Sequence, residues 1–394
     1  MIELPDIARP SGLPDLDPES QVHSLRVRGQ LRQAIEQAGG SLAFEDWMQQ
    51  ALYAPGLGYY SAGSSKFSHA GDFTTAPELD PIFGQTLAAQ VAQILEAAGS
   101  PCVLEFGAGS GALAAALIPA LQALGLEIDY QIIELSADLR DRQQARLAHL
   151  QPAVRWLDAL PDSFSGCVLA NEVVDAMPAC LVTHDKAGTL HELGVGLSPE
   201  NRDGDLPFCW TAQPMRAGLQ DLAEQRIPPL PGYRSEINRQ AEAWIREMGQ
   251  WLVHGAALLI DYGFPQREYY HPQRIHGTLM CHFRHLAHDQ PLVFAGMQDI
   301  TTHVDFTAMA DAALEGGLDV LGYASQARFL MNCGLIDHIG APNADPAGRA
   351  RRMAAINMLT SEAEMGELFK VLAIGRGLDG GLLGFARGDR RDTL

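Results

Sequence analysis

Four residues near the first quarter of the chain form a candidate nucleotide-binding turn: Gly107, Ala108, Gly109 and Gly111. A short apolar run that begins at Cys102 precedes them, and an alanine- and leucine-rich helical pattern follows over residues 112–124. This order predicts a turn between a buried strand and a helix. Glycine lets a ligand approach the backbone closely, and the N-terminus of a helix presents free N–H groups.

Two cofactors are compatible with this turn. With Ala112 as its last position, the turn matches the G-x-G-x-x-G/A fingerprint of NAD-binding folds. Glu134 follows at the end of a second apolar run, where an acid that binds the ribose is expected. The other interpretation is the E-x-G-x-G-x-G turn of S-adenosylmethionine enzymes. Glu105 favours it, because a carboxylate repels the pyrophosphate of NAD and attracts the ammonium and sulfonium of S-adenosylmethionine.

Further polar side chains follow two other apolar runs. Asn171, Glu172 and Asp175 come directly after residues 167–170, and Asp261 comes directly after residues 256–260. Open α/β sheets bind their ligands at the carboxyl ends of the strands. We therefore expect these side chains to face the same ligand region as the glycine turn.

The elements that must position these residues alternate along the chain. Strand-length apolar runs at 128–133, 154–156, 167–170 and 256–260 are separated by helical patterns. This alternation predicts an α/β fold with a Rossmann-like, mostly parallel sheet. Runs at 369–374 and 382–386, separated by a Gly/Asp turn, predict a terminal antiparallel hairpin. Class I methyltransferases end in such a hairpin, whereas Rossmann dehydrogenases usually do not.

At 394 residues, the chain is long enough for one large domain with elaborations or for two domains. We predict a flexible N-terminal tail (1–23), an N-terminal helical cap with an active-site loop (24–83) and the cofactor-binding core (84–394). The core carries insertions at about 179–232 and 264–304, the first of them rich in strands.

The composition narrows the range of functions. A net charge of −20 argues against binding to nucleic acid or to anionic membranes. The six cysteines are scattered without C-x-x-C pairs, which indicates reduced thiols. The first 20 residues are acidic and proline-rich without an apolar segment, so no targeting peptide is predicted and we expect a cytoplasmic, bacterial protein without membrane insertion.

Histidines cluster between Tyr269 and His303, among them His282, His285 and His288. Their spacing matches neither H-E-x-x-H nor a Cys/His zinc finger. We therefore predict no metal site.

Several motifs in a fixed order resemble the MidA family, which includes the mitochondrial complex I assembly factor seven. The similarity extends over residues 25–388, and methyl transfer to a protein arginine from S-adenosylmethionine is the activity that it implies. The resemblance rests on the motifs at residues 55–60, 71–78, 83–84, 105–111, 171–176, 261–263, 277–279, 298–306 and 366–372.

The resemblance implies roles for specific side chains. Glu172 and Asp175 are the candidates for a carboxylate clamp on the guanidinium, with Asp72 of the preceding loop as a third catalytic residue. Tyr59 and Tyr60 are predicted to bind substrate by stacking on the guanidinium, and Asp261 is predicted to contact substrate as well.

The cofactor residues predicted from the motif are the following: Glu105, Gly107, Ala108, Gly109, Gly111, Glu134 and Asn171. The partner implied is a protein acceptor with a target arginine, and a respiratory-complex subunit is the acceptor class that the resemblance suggests. Two alternatives to the methyltransferase stay open at this point: an NAD-linked oxidoreductase, and an assembly chaperone that binds the cofactor without turnover.

Overall fold

The computed structural model describes residues 2–62, 75–150, 154–201, 204–339 and 346–394. They belong to two compact units. The first unit comprises Met1–Phe73, Ala176–Gln240 and Gln266–His303, and the second comprises Thr74–Asp175, Ala241–Pro265 and Val304–Leu394. Of the helices described, none is both long and apolar enough to cross a membrane.

The strands of both units are, in chain order, β1 (Ser41–Ala43), β2 (Cys102–Phe106), β3 (Asp129–Ile133), β4 (Val154–Leu157), β5 (Phe164–Asn171), β6 (Cys180–His184), β7 (Leu190–Leu197), β8 (Phe208–Gln213), β9 (Arg234–Ile237), β10 (Leu252–Phe264), β11 (Met280–Phe283), β12 (Leu286–His288), β13 (Asp299–Thr301), β14 (Val304–Asp305), β15 (Asp319–Ser325) and β16 (Phe369–Arg376).

The helices are α1 (Pro18–Gln37), α2 (Phe44–Tyr53), α3 (Ala76–Leu79), α4 (Ile82–Ala98), α5 (Ala112–Ala123), α6 (Ala137–Leu147), α7 (Leu219–Arg226), α8 (Arg239–Trp251), α9 (Gln266–Tyr269), α10 (Phe306–Glu315), α11 (Gln326–Asn332), α12 (Pro346–Thr360) and α13 (Met365–Leu368).

The second unit is built on an eight-stranded sheet in the order β15-β16-β10-β5-β2-β3-β4, with β14 paired to β10. The strands from β10 to β4 run parallel, whereas β16 is antiparallel to both of its neighbours. The central strands are continuous apolar runs, as expected for strands covered by helices on both faces. The predicted α/β fold with a mostly parallel sheet and an antiparallel end is confirmed.

One predicted strand of the terminal hairpin is wrong. Residues 382–386 contain a 3-10 helix at Leu383–Phe385, and β15 is the antiparallel partner of β16. The backbone N–H groups of Leu383 and Gly384 donate to the side-chain oxygens of Gln93 and Gln90. Because these amides on α4 satisfy the backbone, the segment does not need a strand partner.

The first unit contains antiparallel sheets. One has the order β1-β7-β6-β9 with β8 also paired to β7, and the other has the order β12-β11-β13. The strand-rich insertion predicted at residues 179–232 supplies β6, β7 and β8 of the larger sheet. The core of the first unit includes Phe44, whose ring packs against those of Trp47 and Trp210.

Helix α1 starts earlier than the sequence pattern predicts. The pattern is helical from Ser24, but the helix begins at Pro18, and the Asp17 side chain caps it by accepting from the backbone N–H of Ser20 at 2.9 Å. Asp17 and Pro18 are good residues for the start of a helix. The predicted boundary between residues 23 and 24 therefore falls inside α1.

Candidate functional site

The glycine turn joins β2 to α5 in the second unit. Gly107, Gly109 and Gly111 all have positive φ, of +59°, +53° and +81° respectively, a region that other residues rarely adopt. A Cβ built on Gly109 meets no heavy atom of the described residues within 4 Å. The backbone of the turn is therefore open to a ligand at Gly109.

Glu105 lies in β2, two residues before the turn, and is 3% exposed. The Tyr130 hydroxyl donates a hydrogen bond to its Oε2 at 2.8 Å. Burial raises the pKa of Glu105 from the usual 4.5 to about 7, although this hydrogen bond and the nearby Glu134 also act on it. A cationic ligand beside this carboxyl would favour its ionised form.

Glu105→Gln is expected to stabilise the ligand-free protein at alkaline pH. The folded chain holds the Glu105 proton up to about pH 7 and the unfolded chain loses it near 4.5, so the stability contribution falls as pH rises through this interval. The neutral amide removes that loss, which amounts to about 3 kcal/mol above pH 7.

Denaturant unfolding at acidic and alkaline pH measures this difference. Glu127→Gln, which changes an exposed carboxylate, is the control. If Glu105→Gln leaves the pH dependence of unfolding unchanged, burial does not hold the Glu105 proton.

Glu134 follows β3 and is held by two donors. Its Oε1 accepts from the backbone N–H of Ser136 at 2.9 Å, and its Oε2 accepts from the Gln143 side-chain amide at 2.9 Å. The pKa of Glu134 is raised, chiefly by burial. The same Gln143 amide donates to the carbonyl oxygen of Gly109 at 2.9 Å. This glutamine lies in α6, and no motif in the sequence singles it out.

Asn171 and Glu172 form the turn that leaves β5. Glu172 has φ +53°, which is uncommon for a residue with a side chain and indicates a backbone held by its surroundings. Its Oε1 accepts from the Asn171 amide at 3.0 Å and from the backbone N–H of Ala76 at 3.3 Å. The buried Oδ1 of Asn171 has no hydrogen-bond partner among the described residues.

Asp175 and Asp261 meet at the carboxyl ends of β5 and β10. Asp261 accepts from the backbone N–H groups of Val174 and Asp175 through Oδ2, at 3.1 and 3.2 Å, and from that of Tyr262 through Oδ1 at 2.9 Å. Burial, and then the charges of Asp175 and Glu172, raise the pKa of Asp261 well above its usual range. This geometry favours a positioning role for Asp261 over the predicted contact with substrate.

Tyr262 is a residue of this site that the sequence motifs do not assign. Its hydroxyl donates to Oδ2 of Asp175 at 2.5 Å. The two residues are 87 positions apart in the sequence, and the pairing depends on β10 lying beside β5 in the sheet. In the sequence, the only signal of this pairing is that polar residues follow the apolar run 256–260.

The other predicted site residues are Asp72, Tyr59 and Tyr60. Asp72 is outside the described residues. Tyr59 and Tyr60 belong to the first unit, where their rings meet edge to face at 5.0 Å and the Tyr60 hydroxyl donates to Oδ1 of Asp299 at 2.7 Å. Their contact with substrate stays a prediction.

The histidines between Tyr269 and His303 lie in the first unit, with His282 in β11 and His288 in β12. Burial lowers the pKa of both imidazoles. Within the described part of the chain, no group of three or more His, Cys, Asp or Glu side chains is arranged to hold a metal ion.

The site fits S-adenosylmethionine by several independent features. The turn is open at Gly109, Glu105 is a carboxyl suited to a cation, and Glu134 offers acceptors to a pair of hydroxyls. Leu135, next to Glu134, is 81% exposed and provides apolar surface for a flat ring such as adenine. The buried Oδ1 of Asn171 still needs a donor.

Comparisons with known proteins agree with this fit. A family model described as "putative S-adenosyl-L-methionine-dependent methyltransferase" matches residues 86–324, which include every second-unit residue of the candidate site described above except Ala76. A Burkholderia thailandensis protein solved with bound S-adenosyl-homocysteine has a TM-score of 0.90 and is 48% identical, covering 97% of this chain and 100% of that one. A native structure from the same organism has a TM-score of 0.88 and is 47% identical, with the same coverage.

Curated relatives are more distant. The protein arginine methyltransferase NDUFAF7, mitochondrial, of Mus musculus is 27% identical over 378 residues, which are 85% of this chain and 81% of that protein. The Drosophila melanogaster homolog is 25% identical over 407 residues, covering 94% of this chain and 89% of that protein.

Proposed function

Because this chain belongs to the family of S-adenosyl-L-methionine-dependent methyltransferases that its residues 86–324 match, we propose that it methylates an arginine side chain of a protein. Its cofactor is S-adenosylmethionine, and its general activity is methyl transfer. The predicted family resemblance and cofactor are therefore confirmed, and the NAD interpretation of the glycine turn is not needed. The arginine acceptor is our proposal.

Residues of the second unit would hold the cofactor. We assign its ribose hydroxyls to Glu134, its adenine to the surface beside Leu135, and its cationic methionine end to Glu105 and the Asn171 amide oxygen. The backbone of the glycine turn, from Gly107 to Gly111, would lie against the cofactor. When bound, S-adenosylmethionine supplies an electrophilic methyl group, and the chain's own residues must then orient the nucleophile.

Two carboxylates after β5, Glu172 and Asp175, whose charges both act on Asp261, are the observation that carries the arginine proposal. A guanidinium stays protonated at any working pH, so its charge must be balanced and its planar fork held in one orientation. Carboxylates do both through bidentate, charge-assisted hydrogen bonds. As one nitrogen forms its bond to the methyl carbon, the bond from that carbon to the sulfonium sulfur would break and S-adenosylhomocysteine would leave. That nitrogen also loses a proton, and a carboxylate of the pair is the proposed acceptor.

The framework around these carboxylates supports a fixed clamp. Asp261 holds the backbone of Val174 and Asp175, and the Tyr262 hydroxyl fixes one oxygen of Asp175. The Glu172 side chain is restrained by Asn171 and Ala76. Restrained carboxylates lose little freedom when they bind a guanidinium, so more of the binding energy is available for orientation.

The acceptor's chemistry follows from charge and from the relatives. A chain of net charge −20 favours a basic protein segment, such as one that carries the target arginine. The mouse and fly relatives are named protein arginine methyltransferases, and we extend that substrate class to this chain. A respiratory-complex subunit remains our proposed acceptor class.

All six cysteines are free thiols, which is compatible with the bacterial cytoplasm that we propose as the location of the protein.

Transfer of labelled methyl groups tests this function. The purified protein is mixed with methyl-labelled S-adenosylmethionine and a lysate of cells that lack the protein, and the labelled protein fraction is then hydrolysed to amino acids. We expect label in methylarginine. Label in another amino acid would contradict the arginine acceptor, and no labelled protein at all would favour the cofactor-binding chaperone without turnover.

A further inference from the structure

Gln143 occupies a central place beside the candidate cofactor residues. It lies in α6, is fully buried, and its side-chain nitrogen donates both to the Gly109 carbonyl oxygen and to Oε2 of Glu134, each at 2.9 Å. We propose that Gln143 is a positioning residue that holds the glycine turn and Glu134 in register for the cofactor. This inference rests on the proposed assignment of Glu134 to the ribose.

The orientation of the Gln143 amide is determined by a third partner. The indole N–H of Trp156 in β4 donates to Oε1 of Gln143 at 3.0 Å. An indole nitrogen can only donate, so the amide oxygen must face Trp156 and the amide nitrogen must face Gly109 and Glu134. The reverse orientation would place a donor against a donor.

The three polar atoms that Gln143 contacts lie on three different parts of the second unit. Gly109 is the open point of the turn, Glu134 ends β3, and Trp156 lies in the neighbouring strand β4. A buried amide is costly unless its hydrogen-bonding groups are paired, and here both of its ends are paired. The amide thus links the glycine turn to Glu134 and to β4.

The link also prepares the Glu134 carboxylate for its ligand. The Ser136 N–H engages one oxygen and the Gln143 amide engages the other, so the orientation of both oxygens is fixed. A pair of adjacent hydroxyls could then be bound without reorganising the carboxylate. Removing Gln143 would leave Oε2 of Glu134 free to turn and would leave the Gly109 carbonyl without its side-chain donor.

A double-mutant cycle on S-adenosylhomocysteine binding tests this role. The variants are Gln143→Met, which keeps the length of the side chain but removes its amide, Glu134→Ala, and the combination of the two. Gln144→Met, the same change at the exposed neighbouring residue, is the matched control. Calorimetry gives Kd for each protein, and thermal unfolding confirms that each is folded at the temperature of the titration.

We expect Gln143→Met to raise Kd about tenfold, as for a lost hydrogen bond to a charged group, and Gln144→Met to leave it unchanged. In the Glu134→Ala background, Gln143→Met should raise Kd by no more than about twofold, because its main partner is already gone. An equal rise in both backgrounds would mean that Gln143 has only a general structural role, and would overturn the inference.

The same cycle separates this inference from the site assignment. If Glu134→Ala alone leaves Kd unchanged, the ribose is bound elsewhere, and the assignment of Glu134 and the role of Gln143 both fail. If Glu134→Ala weakens binding and Gln143→Met does not, the assignment stands and only the inference is wrong.

Discussion

Gly109→Val is expected to abolish measurable binding of S-adenosylhomocysteine while the chain stays folded. The space around Cβ of residue 109 is open among the described residues, and it is the space that we assign to the cofactor. A valine side chain would fill it. The left-handed backbone, with φ +53°, adds strain on the order of 1–2 kcal/mol, which is small beside the usual 5–15 kcal/mol of folding stability.

Gly99→Val is a closely matched control for this strain. Gly99 follows α4 with φ +60°, and a Cβ there also meets open space, but it lies before β2 at the opposite end of that strand from the turn. Both variants should lose similar stability in denaturant unfolding, and only Gly109→Val should lose calorimetric binding. Wild-type affinity in a folded Gly109→Val protein would place the cofactor away from this turn.

Glu172→Gln is expected to slow methyl transfer by about a hundredfold with little change in S-adenosylhomocysteine affinity. Glutamine keeps an oxygen for the donors from Asn171 and Ala76 but removes the charge that balances the guanidinium. The cofactor is assigned to other residues, so its binding should be kept. A charge-assisted pair at the reacting group is felt mainly in the transition state.

The assay is single-turnover transfer from labelled S-adenosylmethionine to a lysate at saturating cofactor. Asp175→Asn should also be slow, because it removes the second carboxylate of the clamp. Glu96→Gln, which changes an exposed carboxylate in α4, should transfer at the wild-type rate. If Glu172→Gln and Asp175→Asn both match the wild type, these carboxylates are structural and an arginine acceptor is not held here.

Local patterns were sufficient to predict the central part of the fold. The glycine turn, the alternation of strands and helices, and the acid after β3 are encoded within short segments, and the alternation predicts the parallel pairing seen from β10 to β4. β15 was missed because Asp319–Ser325 begins with exposed and half-buried residues and gives no clear strand pattern. The segment 382–386, which was predicted as the partner of β16, is instead held by Gln90 and Gln93. These two residues lie about three hundred positions earlier in the chain.

The site could be predicted only in part, because some of its residues also depend on contacts with distant parts of the chain. Glu105 and Glu134 stand at recognisable distances from the glycines, so the sequence identifies them. Tyr262 and Gln143 act through contacts with residues on other elements. The polar residues beside Tyr262 give a weak signal of its contact, and nothing near Gln143 in the sequence indicates the contacts of its amide. The three backbone donors to Asp261 become visible only in the folded chain, so the sequence does not separate a positioning role from the predicted contact with substrate.

Peptide mass spectrometry of whole cells tests the central claim most directly. Proteins from cells that contain this chain are compared with proteins from matched cells in which its gene is deleted, and with cells that carry only Glu172→Gln. We predict at least one arginine that is methylated in the first cells and unmodified in the other two. Identical arginine methylation in all three, or a lost methyl group on a different type of residue, would contradict the account.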